Sequence, residues 1–234
     1  MSGSMAPSAW APAENIESRT RTVAKPVAPA ELNALPGARG QLLDTASAIM
    51  REGDQVDISL SELSLRAGLN SALVKYYFGN KAGLLLALLE REWAEIVASV
   101  DALLAKELDP ETKLRIHMAR VVDNFFRTPY VHRLLMRMIR ESKPAEAQRL
   151  ADSYLKPLLG AYERLIHDGV AAGVFRPVDP QLFYFTVIGA ADRFFSARLV
   201  LRHCSASDVL DENLRDRYRA HLNDFVVAGI LVQR

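Results

Sequence analysis

The side chains best suited to contact another molecule lie close together in the stretch RAGLNSALVKYYFGNKAGLL, residues 66 to 85. On a helix with 100° per residue, one side would carry small, cationic and aromatic side chains: Ser71, Ala72, Lys75 and Tyr76. Small residues let a backbone approach base edges, lysine donates to guanine or phosphate, and tyrosine offers a ring and a hydroxyl. This face therefore predicts contacts in a DNA groove. The alternative is a solvated face on an ordinary helical hairpin.

Catalytic and metal-binding patterns do not accompany this segment. The five histidines show no metal-ligand spacing: His117, His132, His167, His203 and His221. The sequence has no Gly-x-Ser-x-Gly motif, phosphate loop or dinucleotide fingerprint. His203 and Cys204 are neighbours, but neighbouring side chains on a helix point about 100° apart, so their spacing does not make a catalytic pair. We expect no catalytic residue, no metal and no cofactor. A small-molecule enzyme with an incidental helix-turn-helix is the alternative.

Short helices and turns must position the polar face. Ser59-Leu60-Ser61-Glu62 has the form of a capping box and begins a short helix that Gly68 ends. Asn70 is a suitable N-cap for the next helix, over about residues 71–78. Two short helices joined by a glycine turn, with the second presenting a polar face, are typical of a helix-turn-helix.

The stretch from Leu42 to Leu85 resembles the DNA-binding domain of the TetR family of transcriptional repressors. The resemblance rests on three motifs: Ser59-Leu60-Ser61-Glu62-Leu63, Ala67-Gly68-Leu69-Asn70 and Tyr76-Tyr77-Phe78-Gly79-Asn80-Lys81. It implies that the third helix enters the major groove and that Lys81, at the amide-rich start of the fourth helix, holds a phosphate. It also implies DNA contacts from Tyr77 and Ser61. Lys75 stands where the family frequently has tyrosine, and Leu73 where it often has threonine or serine. These two differences affect which operator sequence is expected, but not whether the protein is expected to bind DNA.

Composition limits the remaining classes of protein. The 234 residues are half hydrophobic and carry a formal net charge of +1, so no global field indicates a nucleic-acid or membrane partner. A single cysteine excludes an intrachain disulfide, and no signal-peptide pattern is present, so we expect a cytoplasmic protein. The longest apolar run, Leu182 to Leu201, contains Asp192, Arg193 and Arg198, which favours a buried helix over a membrane span.

The chain divides into three predicted parts. Residues 1–36, rich in Ala, Pro and Ser, are expected to form a flexible arm, with DNA contact by its basic end as the alternative. Residues 37–83 would form the helix-turn-helix domain and residues 84–234 a helical effector-binding and dimerisation domain. Periodicity predicts an all-α fold, with a long fourth helix over about residues 81–108. Five further helices are expected, over residues 110–127, 132–141, 147–168, about 180–202 and about 214–230.

The resemblance further implies a small-molecule cavity within the C-terminal helices. Candidates for its lining are aromatic, sulfur-containing or polar residues: Trp93, His117, Phe125, Met136, Tyr162 and Arg193. Each also fits a structural role, as a core residue or, for Arg193, as the partner of an acid across a dimer. The aromatic and methionine content favours an apolar or aromatic effector. A non-sensing architectural DNA-binding protein is the alternative.

The last two predicted helices are apolar enough to need a partner surface, and in the resembled family such a pair forms a four-helix dimer interface. The expected interface residues lie on the final helix: Leu222, Phe225, Val226 and Gly229. A fully intramolecular core is the alternative. These features together predict a homodimeric, sequence-specific DNA-binding transcriptional regulator. We expect a repressor that a small-molecule effector releases from a palindromic double-stranded DNA operator.

Overall fold

The computed structural model describes residues 37–53, 56–197, 203 and 211–232. Every element in these residues is helical, apart from an isolated antiparallel bridge between Phe175 and Leu231. The all-α fold class is therefore confirmed. The predicted arm over residues 1–36 lies outside the described residues, as do residues 198–202 and Cys204.

Four helices form the N-terminal part: α1 (Ala38–Glu52), α2 (Leu60–Ala67), α3 (Ala72–Phe78) and α4 (Lys81–Leu104). Helix α1 buries an apolar face with residues at spacings of three and four: Leu42, Leu43, Ala46, Ile49 and Met50. Helices α2, α3 and α4 all contact α1. The three-helix head, α1 to α3, therefore shares its core with the start of α4.

The fourth helix is shorter than predicted, because it ends at Leu104 rather than near Leu108. The Lys113 ammonium donates to the Leu104 carbonyl at 2.9 Å and satisfies one of the free acceptors at the helix end. Asp109 then caps a new helix that has Pro110 at its start. The 24 residues of α4 still span about 36 Å, enough to contact both parts of the chain.

Six helices follow: α5 (Pro110–Arg127), α6 (Val131–Glu141), α7 (Pro144–Leu150), α8 (Lys156–Ala171), α9 (Pro180–Ser196) and α10 (Glu212–Ile230). The helices predicted over residues 110–127 and 132–141 are confirmed to within one residue. Helix α9 ends at Ser196, earlier than the expected Arg202, and Ala197 follows it in a turn.

The segment predicted as one regular helix over residues 147–168 begins earlier and contains a wide turn. It starts at Pro144, a residue that the first turn of a helix tolerates. Helix α7 then passes into α8 through a π-helical turn, Ala151–Leu155, in which the Lys156 N–H donates to the Ala151 carbonyl five residues back. Pro157 has no N–H to continue an α-helical ladder, and the wide turn accommodates it.

Helix α5 lies at the centre of the C-terminal part, where it contacts α8, α9 and α10. Helix α4 touches both parts, because it contacts α1 and α3 at its start and α5, α6 and α8 further along. The Tyr130 hydroxyl, just before α6, donates to Ser47 Oγ on α1 at 2.9 Å. One connected core of buried residues runs from Leu42 to Ile230. The head and the C-terminal helices are therefore packed into one continuous core.

Candidate DNA-binding surface and ligand cavity

Helix α3 has one exposed and one buried side. Four side chains lie on the exposed side: Ser71, Ala72, Lys75 and Tyr76. Half of the Tyr76 surface (50%) is accessible, whereas Leu73 and Val74 are buried and Tyr77 is half-buried. The predicted division of this helix into two sides is therefore confirmed, while its contact with DNA stays a prediction.

Hydrogen bonds and left-handed glycines hold α3 at both ends. The Asn70 side-chain oxygen accepts from the Ala72 N–H at 2.8 Å, as expected of a capping residue. Gly68 (φ 62°) precedes the helix and Gly79 (φ 76°) follows it, in a backbone region that glycine occupies without strain. The Gly79 N–H donates to the Lys75 carbonyl at 3.0 Å. The direction of α3 is thus fixed by local sequence.

Helix α2 is capped at its start and is held against α1 by an ion pair. Ser59 Oγ accepts from the Glu62 N–H at 3.4 Å, so the serine half of the predicted capping box is present. The Glu62 carboxylate pairs with Arg66 at 2.9 Å, and Arg66 also pairs with Glu52 of α1. Ser61 lies exposed on α2, where the predicted DNA contact stays untested.

Lys81 begins α4 and already has an acidic partner. Its ammonium lies 2.5 Å from the Asp57 carboxylate, in the loop before α2. Asn80 caps the same helix, because its side-chain oxygen accepts from the Gly83 N–H at 2.9 Å. A phosphate at this helix start would meet a lysine and free backbone N–H groups, but it would compete with Asp57. The sequence did not reveal Asp57, since it lies 24 residues away along the chain.

Gly83 is a second residue that sequence reasoning missed. A Cβ atom at this position would lie 2.0 Å from the carbonyl oxygen of Phe78. Only glycine therefore lets the first turn of α4 approach the end of α3 so closely. A glycine inside the first turn of a leucine-rich helix was the available signal, because glycine is unfavourable within helices.

The C-terminal helices enclose a cavity, and the structure divides the six predicted lining residues. Four of them line it: Trp93, His117, Phe125 and Tyr162. Met136 and Arg193 are not among its lining residues. Met136 lies five residues after Val131, and Arg193 five after Ile188, which places each about 140° around its helix from a lining residue. Met136 instead faces an outer groove, and Arg193 is exposed.

Three buried polar side chains line the cavity without a hydrogen-bond partner among the described residues. They are His117, at both ring nitrogens, and the hydroxyls of Tyr162 and Tyr184. His117 is only 3% exposed, and each tyrosine is 1% exposed. The rings meet edge-on, with centroids 4.8 Å apart for His117 and Tyr162 and 5.1 Å apart for Tyr162 and Tyr184. A buried polar group without a partner is costly, so three in one cavity make it the candidate ligand site.

All three groups are neutral near pH 7. Burial lowers the pKa of His117 to about 4, and the nearby positive charge of Arg120 acts in the same direction. Burial raises the pKa of Tyr184 to about 12 and the pKa of Tyr162 well above its ordinary value. The neutral histidine has one donor and one acceptor, and each hydroxyl can do both.

Arg120 is the charged residue of the cavity that sequence reasoning missed. It lies three residues after His117 on α5, and its guanidinium donates to the Ser99 carbonyl of α4 at 2.6 Å. Arg120, Asn124 and Thr128 follow His117 at spacings of three and four residues, so their position on the same side of the helix was visible in the sequence. None of the lining side chains in the described part of the chain is acidic.

An apolar surface lies on α9 and α10. Three large side chains are exposed there: Leu182 (67%), Phe185 (56%) and Phe225 (70%). Gly229 is also exposed, whereas Leu222 and Val226 are buried within the chain's own core. The four predicted interface residues therefore face two ways: Phe225 and Gly229, four residues apart, face outward, whereas Leu222 and Val226, also four apart, face the core.

No helix in the described residues is both long enough and apolar enough to cross a membrane. No group of three or more His, Cys, Asp and Glu side chains in the same residues could hold a metal ion.

Known proteins resemble this chain in sequence and in fold. Residues 107–234 match the family model for the "Tetracyclin repressor-like, C-terminal domain". The HTH-type transcriptional repressor NicS of Pseudomonas putida is 24% identical over 173 residues, which cover 73% of this chain and 82% of that relative.

Two solved structures share the fold over most of the chain. A TetR/AcrR-family regulator from Thermobifida fusca has a TM-score of 0.60 and 21% identity, covering 85% of this chain and 100% of that one. FadR from Bacillus subtilis, solved in complex with stearoyl-CoA, has a TM-score of 0.57 and 17% identity, covering 82% and 98%. At these identities the likeness shows the fold alone, a helix-turn-helix head followed by a larger helical part.

Proposed function

Because this chain belongs to the TetR family of transcriptional regulators, we propose that it binds a DNA operator as a homodimer and that a small molecule in its cavity releases it. The observation that carries the DNA-binding role is the exposed side of α3, with Ser71 and Ala72 beside Lys75 and Tyr76. Small residues at the start of the helix allow close approach to base edges, where lysine can read guanine.

Two observations support homodimerisation: the small size of this surface and the exposed apolar residues near the other end of the chain. A single seven-residue helix buries too little to hold a specific site, whereas two symmetric copies can read two half-sites in successive major grooves. Leu182 and Phe225 are exposed and line one outer groove, and Phe185 is exposed on the same helix as Leu182. These residues support a symmetric contact through α9 and α10, since exposed apolar patches mark interaction surfaces.

Ligand control is supported by the position of α4. This helix begins at Lys81, directly after α3, and further along it contributes Trp93, Ile96 and Val100 to the cavity wall. A ligand that shifts α4 would change the distance between the two α3 helices of a dimer. The partnerless polar groups in the cavity favour a sensing regulator over an architectural protein. The repressor named NicS among the relatives favours repression over activation.

Selection of bound DNA from a random library, followed by footprinting and analytical ultracentrifugation, tests this function. We expect enrichment of a near-palindrome, protection of two half-sites about one helical turn apart, and a dimer in solution. A stable monomer that protects one asymmetric half-site would contradict the dimeric part of the proposal. No enrichment of any sequence would contradict specific DNA binding.

A further inference from the structure

The polar groups of the cavity are rich in hydrogen-bond donors. The Tyr162 and Tyr184 hydroxyls each offer a donor, and the neutral His117 ring offers one more. One N–H of the Arg120 guanidinium donates to the Ser99 carbonyl, and the other four of its five N–H groups are further donors. The Trp93 indole N–H is not available, because it donates to the Tyr154 carbonyl at 3.0 Å. A ligand group that only accepts hydrogen bonds would satisfy this set best.

The charged side chains around the cavity indicate whether its ligand is an anion or a cation. Arg120 contributes a positive charge, and no acidic side chain lines the cavity in the described residues. His132, at the edge of the cavity, lies 3.9 Å from Asp192, but Asp192 belongs to the outer groove rather than to the cavity wall. An anion would be attracted to Arg120, whereas a cation would be repelled without compensation.

An aromatic cage for a quaternary ammonium ion is the competing interpretation. Trp93, Phe125, Tyr162 and Tyr184 supply the rings that such a cage requires. A cage of this kind would nevertheless hold its cation beside Arg120, and it would leave the two hydroxyls and His117 without partners. The charge and the hydrogen-bond donors therefore both disfavour a cationic ligand.

The size of the cavity limits the ligand further. The space open to the centre of a water molecule is about 50 Å³. Pockets for drug-sized ligands are several times larger, typically about 300–1,000 Å³. A long acyl chain would require the helices to separate, so a small molecule fits best.

We infer that the cavity takes a small organic acid, whose carboxylate binds Arg120 and the polar groups of His117, Tyr162 and Tyr184. The hydrocarbon part of the acid, a ring or a short chain, packs between Trp93 and Phe125. The assignment rests on the proposed function, in which this cavity is the effector site. A carboxylate has two oxygens that only accept, so it can bind the Arg120 fork and the hydroxyls together.

Matched sets of probes test the charge. Each set contains an acid, its amide and the corresponding amine, built on benzoic, para-hydroxybenzoic, phenylacetic and hexanoic skeletons. Thermal unfolding and calorimetric titration of the full chain report binding, because a ligand of the folded state raises the melting temperature. We expect at least one acid to bind while its amide and amine do not. Equal binding of an amide or an amine, or no binding by any of these acids, would overturn the inference.

Two variants test the residues. Arg120→Gln should weaken binding of the acid by about tenfold or more, because it removes a charge-assisted hydrogen bond. Arg115→Gln is the matched control, since it removes the same charge from the same helix outside the cavity. Tyr184→Phe keeps the ring and loses one donor, and it should weaken binding of the acid several-fold. It provides the test if Arg120→Gln fails to fold. Unchanged affinity in a folded Arg120→Gln or Tyr184→Phe variant would contradict the assignment.

Operator binding, measured by fluorescence anisotropy on the selected DNA, separates this inference from the proposed function. If the protein binds its operator but responds to amides or amines, only the acid assignment fails. If the protein binds acids but no DNA sequence, the proposed regulator fails while the ligand class stands.

Discussion

Lys75 and Lys81 are six residues apart and have different surroundings. Lys75 lies on the exposed side of α3 beside Ala72 and Tyr76, whereas Lys81 lies at the start of α4 and pairs with Asp57. A lysine at a helix start, next to free backbone N–H groups, is placed for a phosphate, which carries no sequence information. A lysine on the reading face can contact a base edge, which is worth about 1–3 kcal/mol of discrimination.

Substitution of each lysine should therefore have a different effect. We expect Lys81→Ala to weaken binding to all DNA sequences alike. It should also lower the slope of log affinity against log salt concentration by about 1 in magnitude. Lys75→Ala should relax the preference at one position of each half-site. Affinities for the selected operator, its single-base variants and random DNA, at two salt concentrations, distinguish these outcomes. Equal losses on every sequence for Lys75→Ala would show that this lysine contacts only phosphate.

His117 should make the stability of the fold depend on pH. Because burial lowers its pKa from 6.5 to about 4, the unfolded chain binds a proton at a higher pH than the folded chain does. Stability is therefore fully present above pH 6.5 and is lost as the pH falls toward 4. The loss from this one group should be about 2 kcal/mol between pH 7 and pH 5.

Urea unfolding at these two pH values measures the effect. His117→Gln should reduce the loss of stability between pH 7 and pH 5, because glutamine does not titrate. His167→Gln is the control, because it removes an exposed histidine, and it should leave that loss unchanged. Burial also lowers the pKa of His132, against the opposing charge of Asp192, but His132 is present in both variants and cancels in the comparison. The same pH dependence in His117→Gln and in the original chain would contradict a neutral, buried His117.

Among the elements, the junction of α3 and α4 depends on Gly83. A methyl group there would lie 2.0 Å from the Phe78 carbonyl oxygen, a backbone atom that cannot move without shifting α3. We expect Gly83→Ala to destabilise the head by about 1–3 kcal/mol, as overpacking does, and to weaken operator binding. Gly160→Ala is the control, because nothing lies within 4 Å of its Cβ position, and helix propensity should make it neutral or slightly stabilising.

Chemical denaturation and operator titration of both variants measure these effects. A Gly83→Ala protein with unchanged stability and affinity would mean that the α3–α4 junction tolerates a wider spacing.

The sequence predicted those elements whose ends are set by neighbouring residues. Gly68, Asn70 and Asn80 act within three residues of their own helix ends, so the helix-turn-helix follows from local chemistry. The end of α4 depends instead on Lys113, nine residues further along, and the wide turn before Pro157 depends on hydrogen bonds that span five residues. Neither feature produces a periodic pattern of apolar residues.

The cavity was predicted in part for a related reason. Helical periodicity places Trp93, His117 and Phe125 on inner faces, and these residues line it. It cannot tell which inner face meets the cavity, because that depends on how three or four helices pack. Periodicity therefore neither separated Met136 from the lining residues nor revealed Tyr184 as one of them.

For the whole molecule, the apolar surface of α9 and α10 determines how a dimer would form. Phe225 is 70% exposed, whereas Val226 is 7% exposed and packs into its own core. We expect Phe225→Glu to dissociate the dimer and to weaken operator binding while each subunit stays folded, since an unpaired charge in an apolar interface is costly. Val226→Glu should instead unfold the subunit. Leu108→Glu, in the turn before α5, is a control on an exposed leucine outside this surface.

Analytical ultracentrifugation, circular dichroism and operator titration distinguish these outcomes. A Phe225→Glu protein that remains a dimer with unchanged operator affinity would place the interface on another surface.

A second connection between the cavity and the head passes through α6. This helix contributes Val131 and His132 to the cavity, and its Arg137 donates to the Val56 carbonyl at 2.5 Å, in the loop before α2. Asp57, the next residue, pairs with Lys81. A ligand that moves α6 would therefore shift the residue that competes with DNA phosphate for Lys81.

Arg137→Gln should weaken this connection without removing either binding site. We expect it to bind the operator, and to bind an acid that stabilises the original chain, but to release the operator less effectively when the acid is added. Coupling between sites commonly changes affinity by about 5- to 150-fold, so the ratio of operator affinities without and with the acid should fall severalfold toward 1.

Arg140→Gln is the control, because it removes an exposed arginine from the same helix. Because coupling is reciprocal, the operator should also weaken acid binding less in Arg137→Gln than in the control. If the two variants show the same ratio, the ligand acts on the head through α4 alone, and the contact between α6 and Val56 serves only to pack the two parts together.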